Sequence, residues 1–291
     1  MFKKIKTFLI KIFFTFKIFT GLIIILNIIF SRLQLNLIIS TVTKSSLDKF
    51  IKKLFIYNTG YNLIRIGSNR DGGYLLPDVL SKIKYCFSPG VGPSTSFENK
   101  LKKYNIISFL ADSTVLDPSN ESIKYDFIKK NLNTFNDNKN ITLEKWIKSK
   151  LNLRKDHKII LQMDIEGSEI TVINNASTNL LNEFKIMIIE FHYFQSLALE
   201  QGCRIYDKVF SKILKNFVIC HIHPNNCCGY SMINKYKIPN VMEFTFINKQ
   251  LVKYKKPLTG KLPHKYDFKC SPNKKEIKLP VFFYKKKNLF I

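Results

Sequence analysis

A chain of 291 residues, 45% of them hydrophobic and thirteen of them tyrosine, is long enough to bury a full core and too apolar to be disordered. Lysine and arginine number 47 against 21 acidic residues, a formal charge of +26, which favours anionic partners such as membrane surfaces, nucleic acids or phosphorylated glycans. Lys, Asn, Ile, Phe and Tyr are all abundant, as an AT-rich genome would produce, so the charge alone selects no partner. The six cysteines show no paired CxxC spacing and read as reduced, packed thiols; adjacent Cys227 and Cys228 are a poor arrangement for a structural disulfide.

Residues 2–20 read as a helix with Lys3, Lys4, Lys6, Lys11 and Lys17 on one half of the wheel and mostly Phe and Ile on the other, suited to an anionic membrane interface. The apolar run of residues 18–30 is shorter than the roughly 20 residues that span a bilayer. Residues 1–45 are therefore expected to be a basic hydrophobic anchor, with a single span as the alternative. Residues 46–250 read as the folded domain, and 251–291 as a basic tail wrapping it.

Within the domain, residues 63–66 and 71–76 read as a β-hairpin turning through Gly72 and Gly73. Strands are then expected at 85–87, 106–110, 159–163, 186–189, 217–221 and 243–247, and helices at 96–104, 121–131, 143–150, from 169 onward and at 198–215. This alternation predicts an α/β fold, a mostly parallel sheet covered on both faces. No helix long enough for a crossover separates the last two strands, so the terminal strand is expected to be antiparallel.

Ligands of such sheets bind beyond the carboxyl ends of the strands. The first core strand ends in Ser88-Pro89-Gly90-Val91-Gly92, where missing side chains let the backbone approach a ligand. The second ends at Asp112, at the interval where nucleoside-binding folds place a ribose-binding acid. Thr95 stands where a dinucleotide fingerprint needs a small residue, and no GxxxxGK[ST] loop occurs. S-adenosylmethionine needs only the turn and the acid, and Ser88, Gly90, Gly92, Asp112 and Asp164 are its candidate contacts. The third junction, Asp164-Ile165-Glu166-Gly167-Ser168-Glu169, carries three carboxylates. Alternation puts Asp164 and Glu166 on one side, while Glu169 also reads as an ordinary first-turn helix acid. Glu190 and His192 end the next strand, and His221, His223 and Asn225 the one after. Asp71, Tyr74, Glu166, His221, His223 and Asn225 are expected at the cleft edge.

Arg65-Ile66-Gly67 with Asp71-Gly72-Gly73-Tyr74, Phe87 to Gly92 with Ser96-Phe97-Glu98, Thr142 to Trp146, and above all Met163 to Glu169 resemble the FkbM-type methyltransferases over roughly residues 60–250. The resemblance implies a Rossmann-like class I methyltransferase sheet, S-adenosylmethionine at Gly90, Gly92 and Asp112, and methyl transfer to an oxygen, often of a sugar or other metabolite. Pro89 departs from the family's turn, where Asn is frequent.

A hydroxyl needs a base or a metal as it attacks. His192 is the expected base, with Glu190 or Asp164 orienting it or the substrate. The rival is a divalent ion on Asp164, Glu190 and His192. A small-molecule or glycan acceptor near a membrane is expected, on the cytoplasmic face or in the cytoplasm, where S-adenosylmethionine is supplied. The alternatives are a nucleic-acid methyltransferase or binder, for which no RNA-binding aromatic signature is present, and an inactive membrane-surface scaffold.

Overall fold

The computed structural model describes residues 41–92, 94–118, 124–152 and 158–285; the helix expected at residues 2–20 and the apolar run after it lie outside them. Among the described residues no helix is long and apolar enough to cross a membrane.

Thr43 caps the first described helix, Lys44–Lys53, by accepting the Ser46 N–H, and the helix buries Leu47, Phe50 and Ile51. Strand β1 (Tyr57–Asn58) precedes the hairpin of β2 (Leu63–Gly67) and β3 (Gly73–Pro77). Strand β4 (Tyr85–Pro89) leads through helix Ser96–Lys102 to β5 (Ile107–Ala111), followed by β6 (Asp126–Ile128), β7 (Asn131–Asn133) and β8 (Asn140–Thr142). Thr142 caps helix Leu143–Lys150, which leads to β9 (Ile159–Met163). Helices Glu169–Asn175 and Thr178–Glu183 precede β10 (Phe184–Phe191), and helix Glu200–Asn216 precedes β11 (Phe217–Pro224). The hairpin of β12 (Tyr230–Ile233) and β13 (Tyr236–Pro239), then β14 (Met242–Asn248) and β15 (Lys256–Pro257), complete the order.

Seven strands form one sheet in the order β11-β14-β10-β9-β4-β5-β6. All its pairs are parallel except those of β14, which runs antiparallel to both β10 and β11. The expected mostly parallel sheet with an antiparallel terminal strand is thus present. Its strand order reverses between β4 and β9, where an open α/β sheet leaves a crevice for a ligand.

Two cores explain why strands β9 and β10 are buried on both faces. On one face Phe191, Phe194, Phe210, Phe244 and Phe246 pack together, with Trp146 edge-on to Phe87 at 4.9 Å. On the other, Ile160, Ile186 and Ile188 meet Tyr74 and Leu76 of the β2–β3 hairpin and Phe97 of the following helix. The Thr245 hydroxyl donates to Leu75 O at 2.6 Å and ties the hairpin to β14.

The structure departs from two expectations. Residues 121–123 of the helix expected at 121–131 lie outside the described residues, and the rest holds strand β6, pairing parallel with β5, and the start of β7. Phe127 and Ile128 favour a strand, and Asn131 and Asn133 are weak helix formers. Cys227 and Cys228, expected reduced, form a disulfide between neighbours. The other four cysteines are free thiols.

Candidate functional site

Strand β4 delivers Gly90 and Gly92 with φ of +78° and +60°, backbone that L side chains rarely adopt. A Cβ on Gly90 would lie 1.5 Å from Asp164 O, because the turn packs directly against the end of β9. Gly90 N donates to Ala111 O at 2.9 Å and Asp164 N to Pro89 O at 3.2 Å. A Cβ on Gly92 meets nothing within 4 Å among the described residues; that side of the turn faces open space.

The space is a cavity of about 550 Å³ at the sheet's reversal point, within the range of small-molecule sites. Of the expected site residues, Asp71, Tyr74, Gly90, Gly92, Asp112, Asp164 and Glu166 line it. Sequence reasoning missed Glu98, Gln162, Thr114, Lys130, Asn131 and Asn133 on its wall. Glu98 had a signal in the Ser96-Phe97-Glu98 string; Asn131 ended the helix expected at 121–131, and Asn133 lay just beyond it. Five acids and one lysine line the cavity, against the chain's overall excess of 26 positive charges.

Asp112 is partly engaged already. Its Oδ2 accepts the Gly92 N–H at 3.0 Å, and its Oδ1 accepts the Thr114 N–H and hydroxyl at 2.7 and 2.6 Å. Burial alone would raise its pKa, but the hydrogen bonds from Thr114 and Gly92 outweigh that and hold it below the usual carboxylate range. The acid therefore fixes the glycine turn and lines the cavity beside it.

Ser88 does not reach the cavity. It is fully buried, its Oγ set against Glu98 Oε1 and 2.5 Å from Gln162 Oε1. One hydroxyl proton cannot serve both acceptors. Burial raises the Glu98 carboxyl, and a proton on Glu98 would supply the missing donor. Gln162 Nε2 in turn donates to the Tyr74 hydroxyl at 3.2 Å. Ser88 supports the wall rather than forming it.

His192 sits behind that wall, 8% exposed. Its Nδ1 is 3.2 Å from Glu169 Oε1, and its Nε2 is 3.4, 3.6 and 3.9 Å from Glu166, Glu190 and Asp164. Glu169 is fully buried, and the same Oε1 accepts the Ile165 and Gly167 N–H groups at 3.1 and 3.0 Å. It is therefore the anchor of the acidic loop and the orienting partner of His192, beyond a first-turn helix acid. The loop's shape needs Glu166 at φ +54° and Gly167 at +109°; a Cβ on Gly167 would strike the Tyr193 ring at 2.1 Å.

The electrostatics follow from crowding. Burial, then Glu190, pushes Asp164 well above the usual range, and burial with Glu243 does the same to Glu190. Burial opposes protonation of His192, but Glu169 and the other carboxylates outweigh it and raise its pKa. Asp164 Oδ1 and Glu190 Oε2 are buried without a hydrogen-bond partner among the described residues. Donor atoms of Asp164, Glu190 and His192 lie within 4.8 Å of one another, a spacing that can hold a metal ion.

The remaining expected residues are placed elsewhere. Asn225 donates to Glu190 Oε1 at 2.9 Å and stays off the cavity wall. His221 and His223, expected at the cleft edge, are buried beneath the C-terminal segment. His221 Nε2 is 2.9 Å from Asp267 Oδ1, and His223 lies between Glu243 and Glu276 at 3.5 and 3.4 Å. Burial lowers the pKa of His223 but the two carboxylates overcome it, raising it to about 10. No local pattern links β11 to residues 264–276, so their cover over these histidines is not legible in the sequence.

Residues 98–232 match the family model described as the methyltransferase FkbM domain. The match starts after the glycine turn and contains Asp112, the acidic loop, Glu190 and His192. No curated protein matches the chain.

Proposed function

We propose that this chain, whose residues 98–232 carry a methyltransferase FkbM domain, uses S-adenosylmethionine to methylate a hydroxyl of a sugar, glycan or related metabolite. The observation that carries the reading is the cavity with the glycine turn and Asp112 on one wall and Asp164 on another. The donor set fits the cofactor: the turn admits close backbone approach, Asp112 lines the same cavity as an acceptor for a ribose hydroxyl, and the acidic lining suits a cationic sulfonium. Gly90, Gly92 and Asp112 would hold it. When bound, the cofactor supplies an electrophilic methyl group to an aligned nucleophile.

The chain's own residues then handle the acceptor's proton. Asp164 lines the cavity and accepts a hydrogen bond from the acceptor hydroxyl. Its raised pKa makes it a stronger base than a free carboxylate once ionised. His192, held by Glu169, faces the same cluster through Nε2 and shares the proton released as the C–O bond forms. Base work is thus assigned to the Asp164–His192 pair, with Asp164 meeting the substrate. A second reading, a divalent ion on Asp164, Glu190 and His192, is favoured by their spacing and the two orphaned oxygens. Turnover after exhaustive chelation separates the two: loss restored by Mg²⁺ or Mn²⁺ supports the ion, unchanged turnover the base.

The acid-lined cleft favours a neutral or cationic acceptor over the phosphate backbone of a nucleic acid. Contact with an anionic membrane through residues 1–45 remains part of the proposal, and co-sedimentation of the full chain with anionic but not neutral vesicles tests it. Methyl transfer itself is tested with tritiated S-adenosylmethionine and a panel of glycans; failure to bind the cofactor would sink the reading and favour an inactive scaffold.

A further inference from the structure

A second polar cluster lies on the same sheet face, away from the cavity. Glu190, Glu243 and His223 are successive partners in one row across β10, β14 and β11, so their side chains share a face. The C-terminal segment brings Cys270 to this row, with Sγ 3.3 Å from Glu243 Oε1. Glu243 Oε2 is 3.5 Å from His223 Nδ1. One imidazole nitrogen, one carboxylate oxygen and the sulfur all lie within 4.8 Å of one another.

We propose that His223, Glu243 and Cys270 bind a divalent cation of the zinc class and fasten the C-terminal segment to the sheet. Mixed nitrogen, oxygen and sulfur donors suit zinc, whereas Mg²⁺ and Ca²⁺ take oxygen ligands. A second observation concerns the other ring nitrogen. His223 is 2% exposed, and its Nε2 has no aligned hydrogen bond although Glu276 Oε1, also unpartnered, is 3.4 Å away. A cation on Nδ1 leaves the ring proton on Nε2, facing Glu276, the outer-shell carboxylate that orients metal-bound histidines. Coordination replaces the protons on Nδ1 and Sγ, which pass to solvent.

The surrounding charge is consistent with this. Glu190 and Glu243, directly opposed and buried, repel each other. Asp71 and Asp267 add negative charge nearby, and Arg65 is the neighbouring fixed cation. Arg65 is already committed, donating to Ser68 O, Tyr266 O and Arg70 O. The rival arrangement is cation-free, with a protonated His223 between its carboxylates and a Cys270 thiol donating to Glu243.

The inference is independent of the proposed methyl transfer. Full-length protein stripped with chelator is titrated with Co²⁺. The site predicts a thiolate-to-cobalt charge-transfer band saturating at one equivalent, displaced by Zn²⁺, retained in His192→Ala and lost in Cys270→Ser. In the wild type, Zn²⁺ should slow alkylation of Cys270, read by mass spectrometry, by at least about tenfold; this holds even if Cys270→Ser fails to fold. No band with unchanged alkylation would establish the cation-free ion-pair network instead. A band lost in a Cys227→Ser/Cys228→Ser variant, with Cys270 unprotected, would also overturn the proposal.

Discussion

On one sheet face, Gln162 and Asp164 at the end of β9 look into an open cavity, whereas Glu243 and His223 on β14 and β11 lie beneath the C-terminal segment. Both regions crowd carboxylates around a histidine. In the first, a buried Glu169 anchors the histidine while Asp164 Oδ1 and Glu190 Oε2 go unpartnered. In the second, Asp267 and Cys270 supply hydrogen-bonding partners from a distant stretch of chain, and Glu276 stands 3.4 Å from His223 without an aligned bond. Unsatisfied acids beside a cavity leave bonding capacity for a substrate; groups of the C-terminal segment set against the sheet hold that segment in place.

Breaking the open region should have the largest effect. Asp164→Asn is expected to lower kcat/KM on the order of 10³-fold, as loss of a proton acceptor does, without lowering the melting temperature. Within the turn, the two glycines should part company. Gly90→Ala should cost about 3 kcal/mol or prevent folding, since strained φ and a collision with Asp164 O coincide. Gly92→Ala should cost only about 1 kcal/mol, for its left-handed backbone, and weaken cofactor binding instead. Denaturant melts with calorimetric titration of both variants check this; equal stability losses would break the distinction.

In the closed region, Asp267→Asn removes one partner of a buried pair and should destabilise by about 3 kcal/mol, with proteolysis beginning in the C-terminal segment. The smallest effect is one of pH. Asp164 and Glu190 have raised pKa values in the folded state, so it holds their protons more tightly than the unfolded chain. Their contribution is full below the usual carboxylate range, and is lost as pH rises through the raised values. Between about pH 4 and 8 the melting temperature of Glu190→Gln should therefore fall less than that of wild type.

Much of the open region was legible in the sequence, because strand ends and a glycine turn are local signals. Alternation located the strands, and the glycine turn, Asp112 and Asp164 do line one cavity. What could not be read depended on tertiary placement. Glu169 looks like a helix-start acid until the loop folds back onto it. Glu98 stands in a recognisable string, but its place on the wall shows only when Ser88 and Gln162 meet it. His221 and His223 stand at a strand end like His192, and nothing local to them reveals that residues 264–276 cover them. Strand β6 is three residues long, too short for a periodicity to outweigh the neighbouring pattern.

Binding of S-adenosylmethionine in the cavity beside the glycine turn is read by calorimetric titration of the full chain, with Gly92→Ala as the variant that preserves the fold. Saturable binding at one molecule per chain is expected, weakened at least about tenfold by a side chain intruding at Gly92. Absence of binding to correctly folded protein, or equal affinity in the variant, would contradict it.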